Sequence, residues 1–180
     1  MALDFLTAST ALQGVLALML ALAVWFDVSE RRIPNWLTVG GLVLSLSLRG
    51  WIGTEALAAG VLGAGSGLGL GFVLFAFGAM GAGDGKLMVA IGSSLGLEVF
   101  LRSLPLIAVF GGVLALAVTA RRRTLIPTVL RCRELALHLV SFGRIGDRRT
   151  LSAADAVTIP YGVAMATGAA VACWSWGLSL

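Results

Sequence analysis

Long apolar stretches broken by short polar ones set the architecture of this chain before any motif is considered. A helix that crosses a bilayer needs about 20 mostly apolar residues. Six stretches approach that requirement: residues 8–26, 36–48 (reaching 52 if extended), 56–79, 87–101, 104–119 and 156–178. The pattern predicts an all-α, polytopic membrane protein with about six transmembrane helices, forming a single membrane-embedded domain over residues 1–180. The short second and fourth stretches suit a locally thinned bilayer or a place deep within a bundle. Gly63, Gly67 and Gly71 recur every fourth residue in the third stretch, with Gly65 and Gly69 beside them, and Gly92 and Gly96 repeat the spacing in the fourth. Small residues on one stripe let two helix backbones approach, so these two spans are expected to cross tightly.

The polar breaks carry an asymmetric charge. Arg31, Arg32 and Lys86, together with Arg121, Arg122, Arg123, Arg131, Arg133, Arg144, Arg148 and Arg149, fall in the first, third and fifth connections and make up 11 of the 13 Lys and Arg. The opposite side holds Arg49 and Arg102, with Asp4, Glu55 and Glu98. The positive-inside rule then places the basic connections in the cytoplasm and both termini outside, in an inner or plasma membrane. The connection at about 120–155 is the long one. In it Leu125, Val129, Cys132, Ala136 and Leu139 recur at spacings of three and four, while Arg131, Glu134 and His138 mark another face. That spacing suits an amphipathic helix on the membrane surface, with an ordinary solvated basic loop as the alternative. A nucleic-acid partner is not expected, since no aromatic platform accompanies the arginines.

Composition agrees. Hydrophobic residues make up 58% of the chain and charged residues 12%, against about 25% charged in soluble domains. Mean hydropathy is +0.98, and the lipid bilayer is the expected partner of most of the surface. Two cysteines, Cys132 and Cys173, with no C-x-x-C pair, and a single histidine, His138, argue against a disulfide framework or a metal cluster. The first six residues carry Asp4 and no basic residue, so the first stretch does not read as a cleavable signal peptide and is expected to remain.

With the spans fixed, two acids stand out. Asp27 closes the first stretch and Asp84 precedes the fourth, both at the expected cytoplasmic boundary. An acid at a helix C-terminus faces the negative end of the dipole, so Asp27 is locally unfavourable. Position alone leaves ordinary readings open: Asp27 could pair with Arg31, and Asp84 could cap the helix that follows.

The surrounding residues shift that balance. Asp27-Val28-Ser29-Glu30-Arg31-Arg32-Ile33-Pro34-Asn35 and Gly81-Ala82-Gly83-Asp84-Gly85-Lys86 resemble the two signatures of the type IV prepilin peptidases, an aspartate followed after five residues by Ile-Pro-Asn and a G-x-G-D segment. Ile159-Pro160-Tyr161-Gly162, at the last span, is similar to a feature of the short members that serve tight-adherence (Flp-type) pili. The resemblance spans roughly residues 12–170. It implies a six-span membrane aspartic endopeptidase that removes the leader of a prepilin at the cytoplasmic face, with a membrane-inserted prepilin helix as partner and no metal or organic cofactor. Asp27 and Asp84 would be the catalytic pair. Larger members carry an N-terminal segment with C-x-x-C pairs associated with N-methylation, and its lack here leads us to expect peptidase activity without methyl transfer.

The chemistry suits two carboxylates. Brought together they cannot both ionise easily, so they share a proton. One can then deprotonate a water while the other protonates the leaving group. Gly81, Gly83 and Gly85 would let the backbone turn and approach a substrate. Lys86 reads first as a lysine snorkelling to the interface, with modulation of the pair's charge as the alternative, and Asn35, after Pro34, as a cap on the second span; with the three glycines, these residues are the candidates for substrate binding or motif support. A competing class is a small ion-coupled transporter or pilus-assembly scaffold, since buried acids near a membrane boundary also serve proton relays. Such a protein would be expected to hold a polar group deep within a span.

Overall fold

The structure, a computed structural model, describes residues 2–77, 80–121 and 161–178. Six helices are found there: α1 (Ala2–Ser29), α2 (Asn35–Ile52), α3 (Thr54–Ala76), α4 (Ala82–Leu95), α5 (Leu97–Arg121) and α6 (Tyr161–Trp176). The chain is an all-helical, polytopic membrane protein. Three segments, Thr7–Ser29, Thr54–Ala76 and Leu97–Arg121, are long and apolar enough to cross a membrane by length and composition. The surface amphipathic helix expected within 120–155, and Ile159 and Pro160, lie outside the described residues.

The fourth and fifth helices divide elsewhere than the apolar pattern suggested. The break falls at Gly96 and not near 102–103, so α4 has 14 residues and α5 has 25. Gly96 has φ 79, a left-handed value that an L side chain resists, and its N–H closes α4 on the Gly92 carbonyl at 2.9 Å. At 1.5 Å per residue α4 is only about 21 Å long, short of the ~30 Å hydrocarbon core. It does not face lipid alone. Leu87, Ala90, Ile91 and Leu95 are fully buried, and α4 packs against each of the other five helices. The shortness of this helix is therefore that of a central element wrapped by longer ones.

Glycine lets α3 lie directly on α4. A Cβ on Gly63 would overlap the Gly92 carbonyl oxygen, one on Gly67 would lie 2.5 Å from the Met88 carbonyl oxygen, and one on Gly71 would sit 3.0 Å from the Gly85 Cα. These neighbours are backbone atoms that cannot swing aside. Gly65 and Gly69 face open space. The four-residue series is thus a packing stripe, and its partner face runs antiparallel along α4.

Tryptophans mark the two ends of the bundle. Trp25 and Trp36 are exposed at one end; Trp51, Trp174 and Trp176 are exposed at the other. Indoles at both rims are what an interfacial aromatic belt provides. Arg102 belongs to the second rim, with its guanidinium 2.5 Å from Glu98 and 6.0 Å from the centre of the Trp176 ring.

Arg49, which charge counting assigns to an outer connection, lies inside the bundle. It is fully buried, donating to the carbonyls of Ala56 and Ser94 at 2.9 Å each. Ser94 also shares a 2.7 Å hydroxyl contact with Ser45 of α2. Gly60 leaves room for the stem, since a Cβ there would overlap the Arg49 Cδ. Carbonyls near the end of α4 carry the negative pole of that helix, so a cation is well placed on them. Apolar neighbours on both sides were the sequence signal that this arginine is not a loop residue.

Candidate active site

Asp27 occupies the last turn of α1 and is 8% exposed. The cost of an anion at that helix end is offset by another helix. The head of α6 meets the carboxylate, and the Gly162 N–H donates to Oδ2 at 2.7 Å, with the Val163 N–H also facing it. Helix N-termini offer unsatisfied N–H groups and a positive pole, so they hold anions well. Glycine is required for the approach: a Cβ on Gly162 would lie 2.7 Å from Asp27 Oδ2 and 3.1 Å from Cγ. Among the described residues no ion pair joins Asp27 to Arg31, which is exposed and has a left-handed φ of 52.

α6 is itself held by α5. Tyr161 lies over Gly111, where a Cβ would come within 3.0 Å of its ring, and Gly168 lies against Ile107, 2.5 Å from a Cβ to Cγ1. This packing fixes the head of α6 and brings the Tyr161 phenol within electrostatic reach of Asp84.

Asp84 is the third residue of α4, and not its cap. The cap is Gly81, with extended backbone at φ −75 and ψ 152. The Asp84 carboxylate reaches back to the Gly81 N–H, as the acid of a capping box does. Burial first, and the negative charge of Asp27 second, push its pKa up to about 6, with the Gly81 N–H acting in the opposite sense. The two aspartates, 57 positions apart, therefore share one end of the bundle and feel each other's charge.

The remaining motif residues surround this pair. Pro34 is the extended N-cap of α2 (φ −65, ψ 139) and makes no side-chain capping bond; Asn35 opens the helix. The carboxamide oxygen of Asn35 accepts a 2.8 Å hydrogen bond from Lys86 Nζ, so both side chains serve a contact between the two signatures. Gly83 faces Ile33, 3.8 Å from a Cβ to the Ile33 Cβ, and Gly85 backs onto Gly71 of α3. None of Gly81, Gly83 and Gly85 has positive φ. A Cβ at Gly83 or Gly85 would meet its neighbours at 3.8 and 3.7 Å, ordinary van der Waals distances, so the close approach of α3 to Gly85 depends on Gly71. No group of three or more His, Cys, Asp or Glu that could hold a metal occurs among the described residues.

Helices of this kind, packed through glycine with two acids converging at one rim, define a polytopic membrane protein with a carboxylate site. The model of the type IV leader peptidase family matches residues 14–120, more than half of the chain and including both aspartates. The chain belongs to that family, and is a membrane protease of the leader-peptidase type. Comparisons with curated proteins and with solved structures give no match. The family match ends before Tyr161 and Gly162, so the contact of α6 with Asp27 is learned from the structure.

Proposed function

We propose that this protein is an aspartic endopeptidase in which Asp27 and Asp84 cleave the leader of a type IV prepilin, of the Flp type, at the cytoplasmic face of a bacterial inner membrane. The observation that carries this reading is the convergence of the two acids at one rim, with the pKa of Asp84 raised to about 6 by burial and by Asp27. Two peptide N–H groups of α6 face Asp27, and one, from Gly81, faces Asp84. A carboxylate is better served as an anion where more donors point at it. In this reading Asp27 is the ionised base and Asp84 holds the shared proton.

Asp27 takes a proton from a water lying between the acids, and the water oxygen attacks the carbonyl carbon of the scissile peptide. Asp84 donates its proton to the carbonyl oxygen as negative charge develops there. Collapse of the tetrahedral adduct breaks the C–N bond; the proton gained by Asp27 passes to the departing amine, and a hydroxyl of the adduct returns its proton to Asp84 as the carbonyl re-forms. Water is consumed and no other reactant is needed. The prepilin's own apolar helix supplies the membrane anchor that brings its leader to this rim. The cytoplasmic assignment rests on the basic residues, Arg31, Arg32 and Lys86 lying at the aspartate end.

A transporter would place a polar group within a span for transit. Arg49 is such a group, yet it is fully buried and bonded to two carbonyls, which suits a structural tie. Co-expression with candidate prepilins, scored by mass shift, tests the proposal. Wild type should remove the leader, while Asp27→Asn and Asp84→Asn should leave it intact at matched membrane levels. Full cleavage by either variant would overturn the paired-acid mechanism, and a reporter fused at Leu180 that reads cytoplasmic would overturn the orientation. The same assay with a labelled methyl donor should show no methyl transfer to the new N-terminus.

A further inference from the structure

Asp84 and Lys86 lie two residues apart on α4, about 200° around the helix at 3.6 residues per turn, so they face opposite sides. Asp84 turns to the rim shared with Asp27. Lys86 turns to the start of α2, where its ammonium donates to Asn35 Oδ1 at 2.8 Å. Beside it, Ile33 covers Gly83. Trp36, which follows Asn35, meets Phe26 edge-on, with ring centres 5.9 Å apart and planes at 86°. Phe26 adjoins Asp27 on α1. The segment 33–36 therefore touches α1 beside one acid and α4 beside the other.

The path of the chain makes that segment a stiff one. α1 closes with the Glu30 N–H on the Phe26 carbonyl at 2.8 Å, and Arg31 then turns the backbone through a left-handed φ of 52. Pro34 fixes the next bend at φ −65, and Leu37 N–H bonds the Pro34 carbonyl at 3.2 Å as α2 begins. A short connection constrained at both ends transmits position between the elements it joins.

From this we infer that the segment Ile33–Trp36 is a strut that sets the separation of Asp27 and Asp84, and that the Lys86–Asn35 hydrogen bond is its lock on α4. Lys86 and Asn35 are positioning residues on this view, and they do not touch the reacting atoms. It also explains why the two signatures belong together, since the Ile-Pro-Asn element is the seat for the turn that carries the second acid. The inference rests on the reading of Asp27 and Asp84 as the catalytic pair. Two carboxylates share a proton only at about 3 Å, and a misplacement of about 1 Å at a reacting centre can cost about a hundredfold in rate.

A double-mutant cycle on prepilin cleavage tests the strut. Asn35→Ala and Lys86→Ala should each lower kcat by about ten- to a hundredfold with KM changed less than about twofold, and the double variant should be no worse than the weaker single. Asn35→Asp keeps an acceptor for the ammonium and should recover most of the loss. Multiplying losses in the double variant, or a loss carried by KM, would mean that the residues act separately or on substrate, and would overturn the inference. Should wild type cleave no prepilin, the protease reading fails and the strut is judged by melting temperatures alone. There, equal shifts in both singles and the double support the lock, and additive shifts overturn it.

Discussion

The Gly162 N–H donates to Asp27 Oδ2 at 2.7 Å, joining positions 135 apart in the chain. It places the positive end of α6 on an acid that sits at the negative end of α1. A Cβ at 162 would occupy the carboxylate's space. Gly162→Ala should therefore abolish most prepilin cleavage, by about a hundredfold if the acid moves by about 1 Å. Gly112→Ala, where a Cβ meets nothing within 4 Å, is the control and should behave as wild type. Cleavage rates at matched membrane levels decide between them.

The α3–α4 crossing gives a sharper steric contrast. Gly63→Ala and Gly92→Ala each drive a methyl into a facing backbone carbonyl, and overpacking of this sort costs about 1–3 kcal/mol. Gly65→Ala and Gly69→Ala point into open space and should be neutral or slightly stabilising, as alanine is the better helix former. Thermal unfolding in detergent should separate the two pairs. Equal melting temperatures for all four would show that the stripe does not carry the crossing.

Arg49 supports a different prediction. Its guanidinium satisfies the carbonyls of Ala56 and Ser94 from the inside. Arg49→Met removes both donors and should destabilise the protein by about 1–3 kcal/mol, since the buried Ser94 carbonyl, in the last turn of α4, loses its donor. Arg49→Lys should rescue little, because a single ammonium cannot reproduce the planar fork. Melting temperatures of the two variants against wild type check this.

Asp84 also links stability to pH. Its folded pKa of about 6 lies above the ordinary 3.8, so between these values the folded state binds more protons than the unfolded state. Stability should fall as pH rises from about 4 to about 6, with the full penalty present above that. Asp84→Asn removes the penalty and should be more stable than wild type at pH 7.5, by up to about 3 kcal/mol for a shift of about two units. At pH 4 the two should converge. A variant no more stable than wild type at pH 7.5 would show that burial of this acid is not costly.

Much of this architecture was legible in the sequence because membrane physics acts on composition and period. Apolar runs of spanning length and the glycine stripe at 63, 67 and 71 each follow from one local requirement: backbone satisfied in lipid, and small residues at a close crossing. Both aspartates and their flanking signatures were equally local, and so was the family they belong to. The break between α4 and α5 was not, because apolar residues flank Gly96 on both sides and only its φ of 79 marks the end of the helix. The burial of Arg49 was hidden for a similar reason, since charge counting cannot distinguish an exposed residue at the end of a span from one folded into the bundle. The Lys86–Asn35 bond and the seat of Asp27 on Gly162 depend on helices far apart in sequence meeting at one rim. Such contacts are decided by packing, because a hydrogen bond between distant segments leaves no period or spacing in the chain from which it could be read.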